Sequence, residues 1–332
     1  MMKHLPSLLL CLGTLLPLLT ACVLPGEEAI SDVESYSPLR MAFPQGEHDF
    51  DRQIVQVHDD YGVYLIYKEV TDEDLNRRWT SVATGNVLHG DDVPDAYVPF
   101  YVNFFASHIF PYVDRSMIQR AFPVKIYMLD NFRGVPRDVE DDGSSTYAMS
   151  QYFDGFDFWA ISFTHDEIES VGDSRLTMKQ KRCAFLLKVF RLFVNNGTLT
   201  VPEEFRSLVN YNQSVYFPDV YENEERYYRN QGFIDNLNDD FTKDQHPYPE
   251  TYRLMSPNYY TSGSYHADEP AEYRDYLIWL RACMFYTEEE FFTKYPAERY
   301  PIIEQRYHVV VDDMLERNGI DLQGIANGPD AD

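Results

Sequence analysis

Met178–Asn195 reads MKQKRCAFLLKVFRLFVN, the most apolar helical stretch of the chain, and Asn196-Gly197 follows as its stop. Shortly before it, Phe156–Phe163 (FDFWAISF) is brief and almost continuously apolar, which predicts a strand. Working outward from this strand and helix separates two kinds of sequence. Upstream, Tyr61–Val70 (YGVYLIYKEV) and Val124–Leu129 (VKIYML) are rich in β-branched and aromatic residues and predict strands. Between them, Val98, Tyr101, Val102, Phe105 and Ile109 recur at helical spacing within residues 95–121, enough for one or two helices. Downstream, Pro202–Leu208, Tyr221–Phe233, Glu269–Phe285, Glu288–Lys294 and Arg299–Asn318 predict further helices, with Gly319–Leu322 packing back after the last. Strands gather early and helices late. The class expected is therefore α+β, a small mixed sheet followed by a mostly helical C-terminal half, in one domain over residues 46–326. No internal repeat is present. Residues 239–268 form a long, polar, tyrosine-rich connection of a length uncommon unless functional or disordered. Residues 327–332 read as a tail.

The amino terminus carries a different message. Lys3 supplies a positive start, Leu8-Leu9-Leu10 through Leu18-Leu19 an apolar run, and Leu19-Thr20-Ala21-Cys22 a lipobox. Residues 1–21 are expected to be a lipoprotein signal peptide, with Cys22 lipidated and residues 22–45, which include Pro25, Pro38 and Pro44, forming a tether. The apolar run is short for a membrane span, which takes about 20 residues, whereas several acyl chains on one cysteine give a stable anchor. A formal charge of −26 repels phosphate backbones and offers no polybasic patch, so nucleic acid is excluded as a partner. At 44% hydrophobic and 15% aromatic residues, the chain is not mainly disordered. Of the four cysteines, Cys11 leaves with the leader and Cys22 carries lipid. Cys183 and Cys283 remain, both in predicted buried helices. Either a disulfide, permitted outside the cytoplasm, or two free apolar thiols fits them.

The order of the later segments is informative. The Phe156–Phe163 strand leads to the Met178–Asn195 helix, then to VPEEF (Val201–Phe205), DEPAEYRDYLIWL (Asp268–Leu280) and a last helix ending in NGIDLQGI (Asn318–Ile325). From Phe156 to Ile325 the chain resembles the zincin-like zinc-binding metallopeptidase lipoproteins of Bacteroidota that are encoded beside SusD-type nutrient-uptake genes. The resemblance implies a zincin-like fold, with H-E-F-x-H-I-L-H-Q on the buried helix and E-D-F-A-E on the later one. In that motif two histidines, at i and i+4, share one helix face and bind zinc, and the adjacent glutamate activates the bound water. With Phe190 set on the family's central phenylalanine, the first ligand position falls on Lys188, the general base on Val189 and the second ligand on Leu192. Asn195 and Asn196 stand where the family has His and Gln. A lysine ammonium has no lone pair, valine accepts no proton and leucine has no donor atom. No histidine occurs between His165 and His246, so no other register restores the pair. The implied consequence is a scaffold that holds no metal and needs no cofactor. Glu272 or Asp268 falls in the region of the third ligand, although acids there also favour a helix N-terminus electrostatically.

Other clusters read as surface. Asp138–Ser145 (DVEDDGSS) lacks the fixed spacing of a calcium loop and reads as a solvated acidic turn. His165-Asp166-Glu167 is one histidine beside two acids. The expected function is a surface-exposed, outer-membrane, lipid-anchored protein without catalysis, a binding or accessory subunit whose partner is a SusD-like lipoprotein or a transporter. Tyr259, Tyr260, Tyr265 and His266 would offer contact area to a peptide or glycan. The alternative is a hydrolase with a divergent site around His266 and Glu272.

Overall fold

In a computed structural model the chain is described over residues 39–77, 86–136, 146–171, 175–237, 241, 244–245, 254–255 and 270–329. Pro44–Asp332 forms one unit. Its first helix, α1 (Asp49–Tyr61), starts at a capping box between His48 and Asp51 and ends where Gly62 takes φ of 81°. A residue with no Cβ enters that left-handed region without strain, so the helix stops there and the chain turns into β1 (Tyr64–Ile66). The strand is shorter than the predicted Tyr61–Val70 for two reasons. Tyr61 belongs to α1, and after Ile66 the backbone N–H groups of Tyr67 and Lys68 go to the Gln45 side chain, at 2.8 and 3.3 Å.

Short helix α2 (Asp72–Leu75) precedes β2 (Asn86–Asp91). The helical pattern within 95–121 resolves into two helices, α3 (Val98–His108) and α4 (Arg115–Ala121). Next come β3 (Lys125–Met128) and, one residue later, β4 (Asp130–Pro136), followed by β5 (Tyr147–Ala148), β6 (Gln151–Tyr152) and β7 (Phe158–Ile161). The main sheet has the order β1-β3-β7-β6, parallel except for the antiparallel edge strand β6. Both β3 and β7 are buried at every position, as expected of parallel strands covered on both faces. On one side Trp159 meets Phe122 and Phe185; on the other Phe158 meets Tyr127 and Tyr152. Leu129 then carries the chain out of this sheet into a second, antiparallel one of order β2-β4-β5, which has no counterpart in the sequence reading.

The helical half begins with α5 (His165–Val171) and α6 (Arg175–Asn195) and continues through α7 (Glu203–Ser207). It ends with α8 (Ala271–Phe285), α9 (Glu288–Lys294), α10 (Pro301–Asp312), a π-helical turn at Asp313–Arg317, and α11 (Leu322–Asn327). Three two-residue pieces, β8 (Val215–Tyr216), β9 (Asn236–Leu237) and β10 (Asp244–Gln245), lie between these helices. A fourth, β11 (Leu254–Met255), pairs with β8, and β10 pairs with β9.

The chain is thus α+β, with its mixed sheet early and helices dominating later. The helix predicted over Tyr221–Phe233 does not form. Tyr216 donates to the Arg226 carbonyl at 2.8 Å and accepts from the Tyr228 N–H at 2.9 Å. Those strand-like bonds take the backbone groups a helix would need. Helix α8 packs between α6, α10 and α11 and is buried nearly all round, the condition under which an amphipathic stripe disappears. Among the described residues no helix is long and apolar enough to cross a membrane.

Candidate functional site

Helix α6 carries the three positions at which the zincin-like motif is degenerate. Lys188 and Leu192 lie one turn apart on α6, Lys188 exposed and Leu192 half-buried. Val189 is turned from Lys188 by about 100° and is 0% exposed. The position that would hold a general base therefore points into the core. Glu272 sits half-buried in the first turn of α8. Its charge acts on Arg206, whose pKa is raised first by the hydrogen bond to Glu203 and to a lesser degree by Glu272 and Tyr273. Among the described residues no three His, Cys, Asp or Glu side chains gather as a metal cage. Cys183 and Cys283 are free and buried. The Cys183 thiol donates to the Met284 carbonyl at 3.2 Å; burial pushes its pKa up to about 12 and raises that of Cys283 as well. Both are packing groups rather than nucleophiles. Cys22, Tyr259, Tyr260, Tyr265, His266, Asp268, Glu269 and Asp138–Ser145 lie outside the described residues.

Two buried charge networks are structural. Asp275 on α8 and Arg306 on α10 form an ion pair with both side chains at most 1% exposed. Arg306 also donates to the Gly232 carbonyl at 2.8 Å and lies 3.7 Å over the Phe205 ring. Burial raises the Asp275 pKa against the opposing pull of Arg306. Asp235 receives Arg229 at 2.8 Å, the Tyr295 hydroxyl at 3.0 Å and the Tyr228 hydroxyl, with Lys294 at 3.3 Å. Burial opposes its ionisation, but the two cations and the phenol bonds outweigh that and lower its pKa. Each carboxylate has its partners, as a buried charge requires.

A different place is open. Where β3 and β7 end, a cavity of about 500 Å³ is lined by Asp130, Ser162, Thr164, His165, Asp166 and Glu167, with Phe132, Met149 and Phe163 supplying apolar surface. Ligand crevices in sheets of this kind lie outside the carboxyl ends of parallel strands. Tyr101 on α3 fixes those ends. Its buried hydroxyl donates to the Leu129 carbonyl at 2.9 Å and accepts from the Phe163 N–H at 2.8 Å, and burial pushes its pKa up to about 12. From there the two chains diverge. One enters β4 through Asp130 and Asn131, the latter at φ of 46° with its amide donating to Asp91 at 3.0 Å. The other enters α5, whose first residue, His165, returns to Asp130, with Nε2 and Oδ2 3.1 Å apart. The imidazole rests on Tyr97, centroid to centroid 4.4 Å, and the Tyr97 hydroxyl donates to Glu169 at 3.0 Å. Glu167 accepts from the Thr164 N–H at 2.8 Å and from Lys181 of α6 at 2.7 Å. Burial acts to raise its pKa, but the Lys181 and Thr164 bonds outweigh it and hold the carboxyl below its ordinary value.

The sequence marks His165, Asp166 and Glu167 as surface residues; His165 and Asp166 are exposed and Glu167 is half-buried. What the sequence did not show is Asp130, 35 residues earlier. The available signal was topological. Asp130 directly follows the predicted strand Val124–Leu129 and His165 lies two residues past the predicted strand Phe156–Phe163, and parallel pairing brings such ends together.

Comparison with known proteins adds little. No protein-family model matches the chain, and no curated protein matches its sequence. One solved structure, of a candidate zinc-binding metallo-peptidase from Bacteroides caccae ATCC 43185, superposes with a TM-score of 0.36 and 11% identity over 84% of this chain and 88% of that one. At that distance the function has to be argued from the residues themselves.

Proposed function

We propose that the mature chain is a zincin-like lipoprotein, anchored through Cys22 to the outer membrane and facing the cell exterior. In this reading it serves without catalysis as a binding or accessory subunit of a SusD-type nutrient-uptake system. The lipobox supports the anchor, and the segment order from Phe156 to Ile325 supports the kinship. The observation that carries the non-catalytic reading is the state of α6: Lys188 and Leu192 provide no metal donor, and Val189 is sealed in the core. Zinc hydrolysis needs three protein ligands, an open coordination position and a base beside it. A partner is then required to give the protein its role, either a SusD-like lipoprotein or a transporter, with a peptide or glycan as shared ligand.

The test is to solubilise the native protein from its membranes, identify what co-purifies, and measure zinc content and peptide hydrolysis on the same sample. The reading expects a transporter or SusD-like lipoprotein in the pull-down, no stoichiometric zinc and no turnover. Stoichiometric zinc with chelator-sensitive cleavage overturns it. Turnover abolished by joint His266→Ala and Glu272→Ala substitution would establish the hydrolase alternative instead.

A further inference from the structure

We infer that the cavity at the carboxyl ends of β3 and β7 binds a small organic cation, an ammonium group carried on an apolar body. The inference is independent of the anchor and of the fate of the α6 site.

The charge on the cavity wall decides the ligand's sign. Its ionisable lining residues are Asp130, His165, Asp166 and Glu167, and no lysine or arginine is among the described residues that line it. Glu167 is already neutralised by Lys181 at 2.7 Å. Asp130 and Asp166 pair with no lysine or arginine among the described residues; the partner of Asp130 is His165. His165 Nε2 occupies one side of that carboxylate at 3.1 Å and leaves its remaining lone pairs able to accept from a ligand. Asp91, behind Asn131, is offset by Arg133 at 3.9 Å, so the charge facing the cavity is that of Asp130 and Asp166. Carboxylates on low-dielectric walls concentrate a negative potential, within a chain of net charge −26. An anion is repelled there. A phosphate or carboxylate ligand finds no cationic donor, whereas an ammonium finds two carboxylates and acceptors from Thr164 and Ser162.

Shape decides the rest. A cavity of about 500 Å³ is in the range that takes small ligands. Phe132, Met149 and Phe163 offer the ligand's body an apolar wall.

The experiment titrates the purified full chain in detergent micelles calorimetrically, at low salt, with three probes that share one body: 3-phenylpropylammonium, 3-phenylpropanol and 3-phenylpropionate. The ammonium is expected to bind once per chain with a dissociation constant on the order of 1 mM or tighter, as its size allows. The alcohol should bind about tenfold more weakly or worse, since it lacks the charge, and the carboxylate not at all. Asp130→Asn and, separately, Asp166→Asn should each weaken the ammonium by about five- to tenfold. Because Asp166 is exposed, that variant does not depend on a correctly held His165. Glu298→Gln, an exposed carboxylate elsewhere, should change nothing. Equal binding of the three probes, absence of ammonium binding up to about 10 mM, or an affinity indifferent to both cavity variants overturns the inference.

Discussion

Replacing Val189 by glutamate restores the acid that the zincin motif places beside its first ligand, and the structure fixes what that costs. Val189 is 0% exposed on α6. A free glutamate ionises at about pH 4.3, and burial without a counter-charge favours its neutral form. Holding the carboxyl neutral at pH 7 costs about 3.7 kcal/mol at 1.36 kcal/mol per pH unit, provided its folded-state pKa exceeds 7. At pH 5.5 the same term falls to about 1.6 kcal/mol. The sign follows from linkage. With the folded-state pKa raised, the unfolded chain sheds the proton first, so each step above pH 4.3 favours unfolding. The larger side chain adds roughly 1–3 kcal/mol of overpacking that does not depend on pH. The total rivals the whole stability of many domains, which is about 5–15 kcal/mol. Urea unfolding of Val189→Glu and its parent at both pH values, followed by tryptophan fluorescence, should show a destabilisation that is about 2 kcal/mol smaller at pH 5.5. A difference under about 0.5 kcal/mol at pH 7 would mean that position 189 opens to water, removing the main support for a non-catalytic reading. Adding Lys188→His and Leu192→His should not let zinc recover the loss. Stabilisation above about 2 kcal/mol on adding zinc would show that the α6 face still forms a cleft able to hold the metal.

Two further outcomes test the interior. Arg306→Met should cost about 3–5 kcal/mol, because Asp275 is left buried without its cation. Combining it with Asp275→Leu should regain most of that in urea unfolding, and a double variant as weak as the two single losses added would refute the pairing argument. His108 is buried against Arg182, its Nδ1 2.9 Å from the guanidinium, and burial followed by that charge lowers its pKa to about 4. Its contribution is therefore present above about pH 6.5 and is lost as pH falls to about 4, by about 3 kcal/mol over the window. His108→Gln should flatten the stability profile there, and parallel profiles for variant and parent would contradict the neutral, buried imidazole.

How much of this was legible in the sequence depends on whether local pattern or long-range pairing decided each element. The strand at Phe156–Phe163, the helix at Met178–Asn195 and the helix at Glu288–Lys294 carry their signals within a few residues, and the structure places β7, α6 and α9 there. The class follows from them. Helix α1 was missed: its buried residues Phe50, Ile54 and Val57 stand among charged and polar neighbours, and its end depends on Gly62. The second sheet was missed because β2 and β4 are half-polar strands whose pairing joins residues 39 to 50 apart. The Tyr221–Phe233 segment misled because nothing within it signals that Tyr216, outside it, captures the backbone of Arg226 and Tyr228. At the cavity, neither Asp130 nor His165 belongs to a motif. They meet only because β3 and β7 run parallel and end together.

That geometry also separates what holds the protein from what a ligand would touch. Asp275 with Arg306, and Asp235 with Arg229 and Lys294, are buried charge pairs that tie the segment from Phe205 to Leu237 to α8, α9 and α10. Breaking any of them strands a charge in the core, so those residues answer to stability first. Asp166 and His165 lie at the exposed rim of the cavity, where replacing a side chain forfeits little packing. The two regions are linked through α6, whose Lys181 neutralises Glu167 on the cavity wall while Cys183, two residues on, is packed under α8. The helix that resembles a metal-binding one but lacks the donors thus has another task in this chain. Its Lys181 offsets Glu167 on the wall of the cavity at the strand ends and leaves Asp130 and Asp166 without a lysine or arginine partner among the described residues.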